Sequence, residues 1–188
     1  CDTTISSPTT SQLSCADNDS LTVDSGGSIT FDNQNAVLAT KKNNITISNS
    51  GTIKATTDGG EIDSAIQGQS TLNLNITNSG TIWAQDDYGI KLIKAEKVTI
   101  TNQAGGTIKA TPSDSGSTIA VGGTKMGNCK TCKDGSTTST GIGLTLHNYG
   151  TIDADSRTVY GGHTSAHTSK KTRIYNYNGG MIDATTNA

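Results

Sequence analysis

Several stretches of this 188-residue chain carry side chains that could do chemistry. Cys129-Lys130-Thr131-Cys132 has the spacing of a redox dithiol or of half a zinc site, and two further cysteines stand at Cys1 and Cys15. Gln85-Asp86-Asp87 offers paired carboxylates of the kind that general acid–base cleavage of a sugar linkage needs. Gly162-His163 and Arg173-Ile174 would supply a base and an anion clamp for the same reaction. His163 and His167 are four residues apart, a spacing that converges on a metal only from one face of a helix. Ser113-Asp114-Ser115-Gly116 resembles a nucleophile loop, but no Ser-His-Asp set is placed to support it.

Whether these groups can meet depends on the elements that hold them, and a repeat decides that. Ile45-Thr46-Ile47-Ser48-Asn49-Ser50-Gly51-Thr52-Ile53 returns as Leu74 to Ile82 and as Leu144 to Ile152, with weaker copies at Leu21 to Ile29, Val98 to Ile108 and Ile174 to Ile182. The Val98 copy has two extra residues in its turn. Apolar residues alternate with Thr, Ser, Asn or Asp, the period of a strand with one buried face. A turn and a second strand follow, and then a third apolar piece: Ala36-Val37-Leu38, Ala65-Ile66, Ile90-Lys91-Leu92, Ile119-Ala120-Val121 and Val159-Tyr160. Such a unit buries its apolar side only by stacking on its neighbours, strand over equivalent strand. The pattern therefore predicts an all-β fold, a parallel β-helix of about six rungs with three short strands each. Six rungs at ~4.8 Å span about 24 Å. The anchor residues Ile29, Ile53, Ile82, Ile108, Ile152 and Ile182 lie 24, 29, 26, 44 and 30 residues apart, so length variation falls in loops, the longest insertion being about 112–143.

On this frame the chemical groups disperse. Asp86 and Asp87 follow a second strand, His163 follows a third strand two rungs on, and Arg173 precedes a first strand, although β-helical pectin hydrolases carry comparable motifs. Acid, base and clamp must converge on one bond, and these point from different edges. The chain is read as non-enzymatic, with no cofactor and no metal. His163 and His167 sit among Thr, Ser and Gly and read as exposed loop residues. Cys129 and Cys132 read as a small disulfide stapling the long loop, with zinc held by His163 and His167 the weaker alternative.

Composition narrows the partners. Aromatic residues make up 4 %, charged residues 16 % and the net charge is −2, with no basic stripe, so nucleic acid is not an expected partner. No apolar run reaches membrane-spanning length, and direct membrane insertion is not expected. Residues 1–19 lie outside the repeat and are expected to cap the open end of the 20–188 helix. A Cys1–Cys15 disulfide would hold that cap closed; a free buried Cys15 with a disordered tail, or a lipid on Cys1, are the alternatives.

Two kinds of column recur in the repeat. Asn49, Asn78, Asn102, Asn148 and Asn178 share one turn position, where stacked amides would satisfy one another up the column. Gly27, Gly51, Gly80, Gly106, Gly150 and Gly180 follow in the same turn and are expected at positive φ. Facing outward on the second strand are the rows Thr52, Thr81, Thr107 and Lys54, Trp83, Lys109. Lysine stems on an indole account for Trp83 structurally. A lone tryptophan placed outside is also what a contact hot spot looks like.

The recurring Asn-x-Gly-Thr-Ile followed by Ala, as in Asn49 to Ala55, Asn78 to Ala84 and Asn148 to Ala154, resembles the passenger repeats of bacterial autotransporter adhesins and filamentous haemagglutinin-type exoproteins. The resemblance covers roughly residues 20–188. It implies a right-handed helix, export to the bacterial cell surface or beyond, and adhesion or self-association, with partners that are further copies or a cell-surface glycan or protein. No translocator barrel is seen, and four cysteines depart from the passenger pattern. A polysaccharide lyase or hydrolase on the same fold, and an architectural surface-layer or filament subunit, are the competing readings. No closing segment follows the sixth anchor, so a longer column is expected.

Overall fold

The structure is a computed structural model and describes residues 1–32, 34–56, 64–85, 88–93, 95–111, 117–121, 143–154, 157–161 and 172–184. Among them the alternating segments form twenty strands. β1 (Thr3–Ile5), β2 (Pro8–Thr9) and β3 (Leu13–Ser14) open the chain, followed by β4 (Ser20–Val23), β5 (Ser28–Asp32) and β6 (Val37–Leu38). Next come β7 (Asn43–Asn49), β8 (Thr52–Thr56) and β9 (Ser64–Gln69), then β10 (Leu72–Asn78), β11 (Thr81–Ala84) and β12 (Tyr88–Ile93). β13 (Val98–Asn102), β14 (Thr107–Ala110) and β15 (Ser117–Val121) precede β16 (Leu144–Asn148), β17 (Thr151–Ala154) and β18 (Arg157–Gly161). β19 (Thr172–Asn176) and β20 (Met181–Ala184) end the described chain.

Every third strand joins the same sheet. β1-β4-β7-β10-β13-β16-β19 form one, β2-β5-β8-β11-β14-β17-β20 a second, and β3-β6-β9-β12-β15-β18 a third. All these pairings are parallel, so the fold is a parallel β-solenoid, as the repeat predicts. No helix among the described residues is long and apolar enough to cross a membrane.

Stacked aliphatic columns fill the interior. Ile29, Ile53, Ile82, Ile108 and Ile152 pair one above another and are fully buried. Val37, Ile66, Ile90 and Ile119 do the same on the third sheet. Each such side chain is worth about 1.5–3 kcal/mol on full burial. The core runs the length of the stack because each strand finds its apolar neighbours one rung away.

Three expectations are corrected by the register. Residues 1–19 do not stand outside the repeat: β1, β2 and β3 pair in parallel with β4, β5 and β6. Leu21 pairs with Ile47 and Val23 with Asn49, so the first rung is displaced by two residues from an alignment on Ile29. At the other end Ile174 pairs with Leu146 and Asn176 with Asn148, so Asn176, not Asn178, continues the asparagine column. Both slips have one cause. Asn49 and Thr52 are joined by two residues, whereas Val23 and Ser28, and Asn176 and Met181, are joined by four. A slip of two keeps every side chain on its own face, so alternation alone cannot reveal it.

The turn glycines are also required for a different reason from the one expected. Gly51, Gly80, Gly106 and Gly150 do not have positive φ; that conformation belongs to Gly105 (φ 83°) and Gly179 (φ 86°) in the wider turns. A Cβ on Gly106 would lie 2.5 Å from the Asn78 carbonyl oxygen and 2.6 Å from Asn102 Oδ1. One on Gly80 would overlap the Gly51 carbonyl oxygen of the rung beneath. Glycine is there because the rungs approach too closely for any side chain.

Candidate functional site

The outer face of β8, β11 and β14 carries the predicted surface. Thr52, Thr81 and Thr107 pair in register, and two residues on so do Lys54, Trp83 and Lys109. Alternation points Ile53, Ile82 and Ile108 inward and leaves both rows outside, each partly exposed. Lys54 Nζ stands 4.1 Å and Lys109 Nζ 4.7 Å from the centroid of the indole, one from the rung on either side. Trp83 Nε1 donates to Thr111 Oγ1 at 3.3 Å, and Thr111 Oγ1 donates to the Gln85 carbonyl at 2.9 Å. The ring is therefore fixed by two cation–π contacts of about 0.5–1 kcal/mol each and by one hydrogen bond. The same column continues through Asp153 and Asp183, so it carries lysines in its middle and carboxylates towards β20.

Behind the turn runs the asparagine ladder. Asn49 Nδ2 donates to Asn78 Oδ1 at 2.8 Å, Asn102 Nδ2 to Asn148 Oδ1 at 2.9 Å, and Asn148 Nδ2 to Asn176 Oδ1 at 2.8 Å. Each amide also reaches a backbone carbonyl of its own turn, as Asn78 reaches Gly80 at 3.1 Å. Asn49, Asn78, Asn102 and Asn148 are buried. The column stops at Asn49, whose Oδ1 has no donor, because Val23 occupies the next position. A second, exposed ladder was not foreseen: Asn73 Nδ2 donates to Asn44 Oδ1 at 2.8 Å and Asn44 Nδ2 to Asn18 Oδ1 at 2.9 Å. All three have positive φ, the conformation asparagine tolerates best among non-glycine residues. That preference was the signal available.

An aromatic cluster was also missed. Corrected by two residues, the register places Tyr175 over His147 with centroids 5.1 Å apart and Tyr177 over Tyr149 at 4.2 Å with planes 3° from parallel. His147 Nδ1 and the Tyr177 hydroxyl are 2.9 Å apart. Desolvation within the cluster, then hydrogen bonding with Tyr149, raises the Tyr177 phenol above the usual tyrosine value.

Cys1 and Cys15 form the expected disulfide, with Cα atoms 4.2 Å apart. Among the described residues, Cys1, Cys15 and Asp19 are the one close group of metal-ligand types, and both sulfurs are committed to the disulfide. The Cys1 amino group lies 2.5 Å from Asp19 and, with the Ala16 N–H, holds that carboxyl below its ordinary value. Asp86, Asp87, Ser113, Cys129, Cys132, His163 and His167, with most of the 112–143 insertion, lie outside the described residues. Asn178 lies in the turn between β19 and β20 and takes no place in the buried ladder. Comparison with known protein families, with curated proteins and with solved structures returns no match.

Proposed function

We propose that the chain is a non-enzymatic segment of a surface protein, displayed outside a bacterial cell, that makes lateral contacts through the outer face of β8, β11 and β14. The observation that carries this is the Trp83 indole held between Lys54 and Lys109 beside the Thr52, Thr81, Thr107 row. A rigid, half-covered aromatic ring on a flat, fully paired sheet is suited to contact, because little side-chain entropy remains to be lost on binding. The favoured partner is a second copy. Two columns laid side by side in opposite directions bring the Lys54 and Lys109 region of one against the Asp153 and Asp183 region of the other. A cell-surface glycan or another protein is the alternative occupant.

In this reading the helix is right-handed, its rungs serve as a spacer, and residues 1–19 with the Cys1–Cys15 disulfide protect its first end. Light scattering across concentration, with the wild type beside Trp83→Ala, tests the reading. Mass that rises with concentration and falls back in the variant supports it. A wild-type monomer at every concentration removes self-association.

A further inference from the structure

On the first sheet the outward residues change character at one end. Thr4, Thr22, Ser48, Thr77 and Thr101 form a hydroxyl column, and its continuation is His147 and then Tyr175. Beside it Tyr149 and Tyr177 stack, and on the other side Thr145 pairs with Arg173. The outer face of β16 and β19, with the residue that follows each, thus presents Thr145, His147 and Tyr149 next to Arg173, Tyr175 and Tyr177.

Three features of this tray point to a ligand. First, the rings are broad and fixed: Tyr175 and Tyr177 lie side by side with centroids 6.4 Å apart and planes 26° from parallel, each backed by a second ring. Second, they are open to solvent, with Tyr149, Tyr175 and Tyr177 38 %, 42 % and 37 % exposed. Stacking alone would bury rings more completely than this. Third, the charge is one-sided: Arg173 is exposed, has no ion pair among the described residues, and no carboxylate shares these six outward positions.

We infer that this face is a binding site for an acidic oligosaccharide, one sugar ring lying on Tyr175 and Tyr177 and its carboxylate paired with Arg173. The C–H face of a pyranose is flat, weakly polar and comparable in width to an aromatic ring, so it covers the tyrosines without stranding polar groups. The sugar hydroxyls find donors and acceptors in the tyrosine hydroxyls and His147. The guanidinium offers a fork that matches a carboxylate. A peptide fits less well, because across the outer face of a paired sheet its own N–H and C=O groups find no backbone partner. This inference does not depend on the Trp83 face, which belongs to a different sheet.

Uronates and sialates share the required chemistry, so the test uses both. Trigalacturonate, sialyllactose and neutral maltotriose are titrated into the full chain by calorimetry and by NMR of ring-labelled tyrosine. The expected result is binding of at least one acidic sugar with Kd of about millimolar or tighter. Tyr175→Ala should weaken it by about tenfold or more, and Arg173→Gln should abolish the preference over maltotriose. Unchanged Trp83 emission controls for folding of both variants. Which acidic probe binds distinguishes a uronate site from a sialate site. No binding of any sugar, or binding indifferent to Tyr175→Ala, overturns the inference. Tyrosine resonances that shift with protein concentration and not with sugar also overturn it, and assign the face to a second copy.

Discussion

The Asn78 side-chain amide donates to Asn102 Oδ1 at 2.9 Å inside the solenoid, and Asn102 passes the same bond on to Asn148. Each buried amide is at once its neighbour's acceptor and the donor to its own turn, so removing one member strands groups on both sides. Asn78→Ala is expected to lower stability by about 2–4 kcal/mol, since buried unpaired polar groups cost about 1–3 kcal/mol each. Urea unfolding measures it.

Asn102→Asp keeps the shape and changes only the proton count. Its ionised oxygens would face Asn148 Oδ1 and the Gly106 carbonyl, all acceptors. The protonated acid is therefore the form favoured when folded, and the folded pKa lies above the unfolded one. The expected loss is smallest below the unfolded carboxyl pKa and grows as pH rises above it. Unfolding of variant and wild type at acidic and neutral pH measures that difference.

Gly80→Ala and Gly105→Ala separate close approach from backbone conformation. A Cβ at Gly80 overlaps the Gly51 carbonyl, whereas at Gly105 it meets nothing within 4 Å and suffers only the positive φ. The account expects a loss of about 1–2 kcal/mol at Gly105 and a clearly larger one at Gly80. Thermal melts compare them directly.

The Cys1–Cys15 disulfide closes the outermost strands on themselves. Replacing both cysteines by serine should cost about 2–4 kcal/mol. Because each rung touches only its neighbours, the damage should stay local. Hydrogen exchange is expected to show lost protection in β1, β2 and β3 with β10 and β13 unchanged.

Tyr177 should ionise last among the described tyrosines of the cluster. Its folded pKa is raised, so the stabilisation from the neutral phenol is present below the unfolded tyrosine value and is lost as pH rises through the folded one. Alkaline titration of phenolate absorbance, with Tyr177→Phe removing the latest-titrating step, checks this.

Much of the fold was legible because alternation and the Asn-x-Gly-Thr-Ile turn are written into each repeat. The columns from Ile29 to Ile152, the Lys54–Trp83–Lys109 row and the Cys1–Cys15 pair all appear where the residues point. What stayed hidden was register at the two ends. A shift of two residues leaves inward and outward unchanged, so Val23, Asn176 and Tyr175 were set beside the wrong neighbours. That slip concealed the stacking of Tyr175 on His147 and of Tyr177 on Tyr149. The strands β1, β2 and β3 were concealed for another reason: two or three residues are too few to show a period.

The central claim, that the Trp83 face makes the contact, has a direct reporter because Trp83 is the only tryptophan. Its emission maximum and acrylamide quenching should be followed from dilute to concentrated protein. The account predicts a blue shift and falling quencher access as concentration rises, both lost in a Lys54→Glu, Lys109→Glu variant. Emission and quenching that stay constant while light scattering shows association would place the contact elsewhere and contradict it.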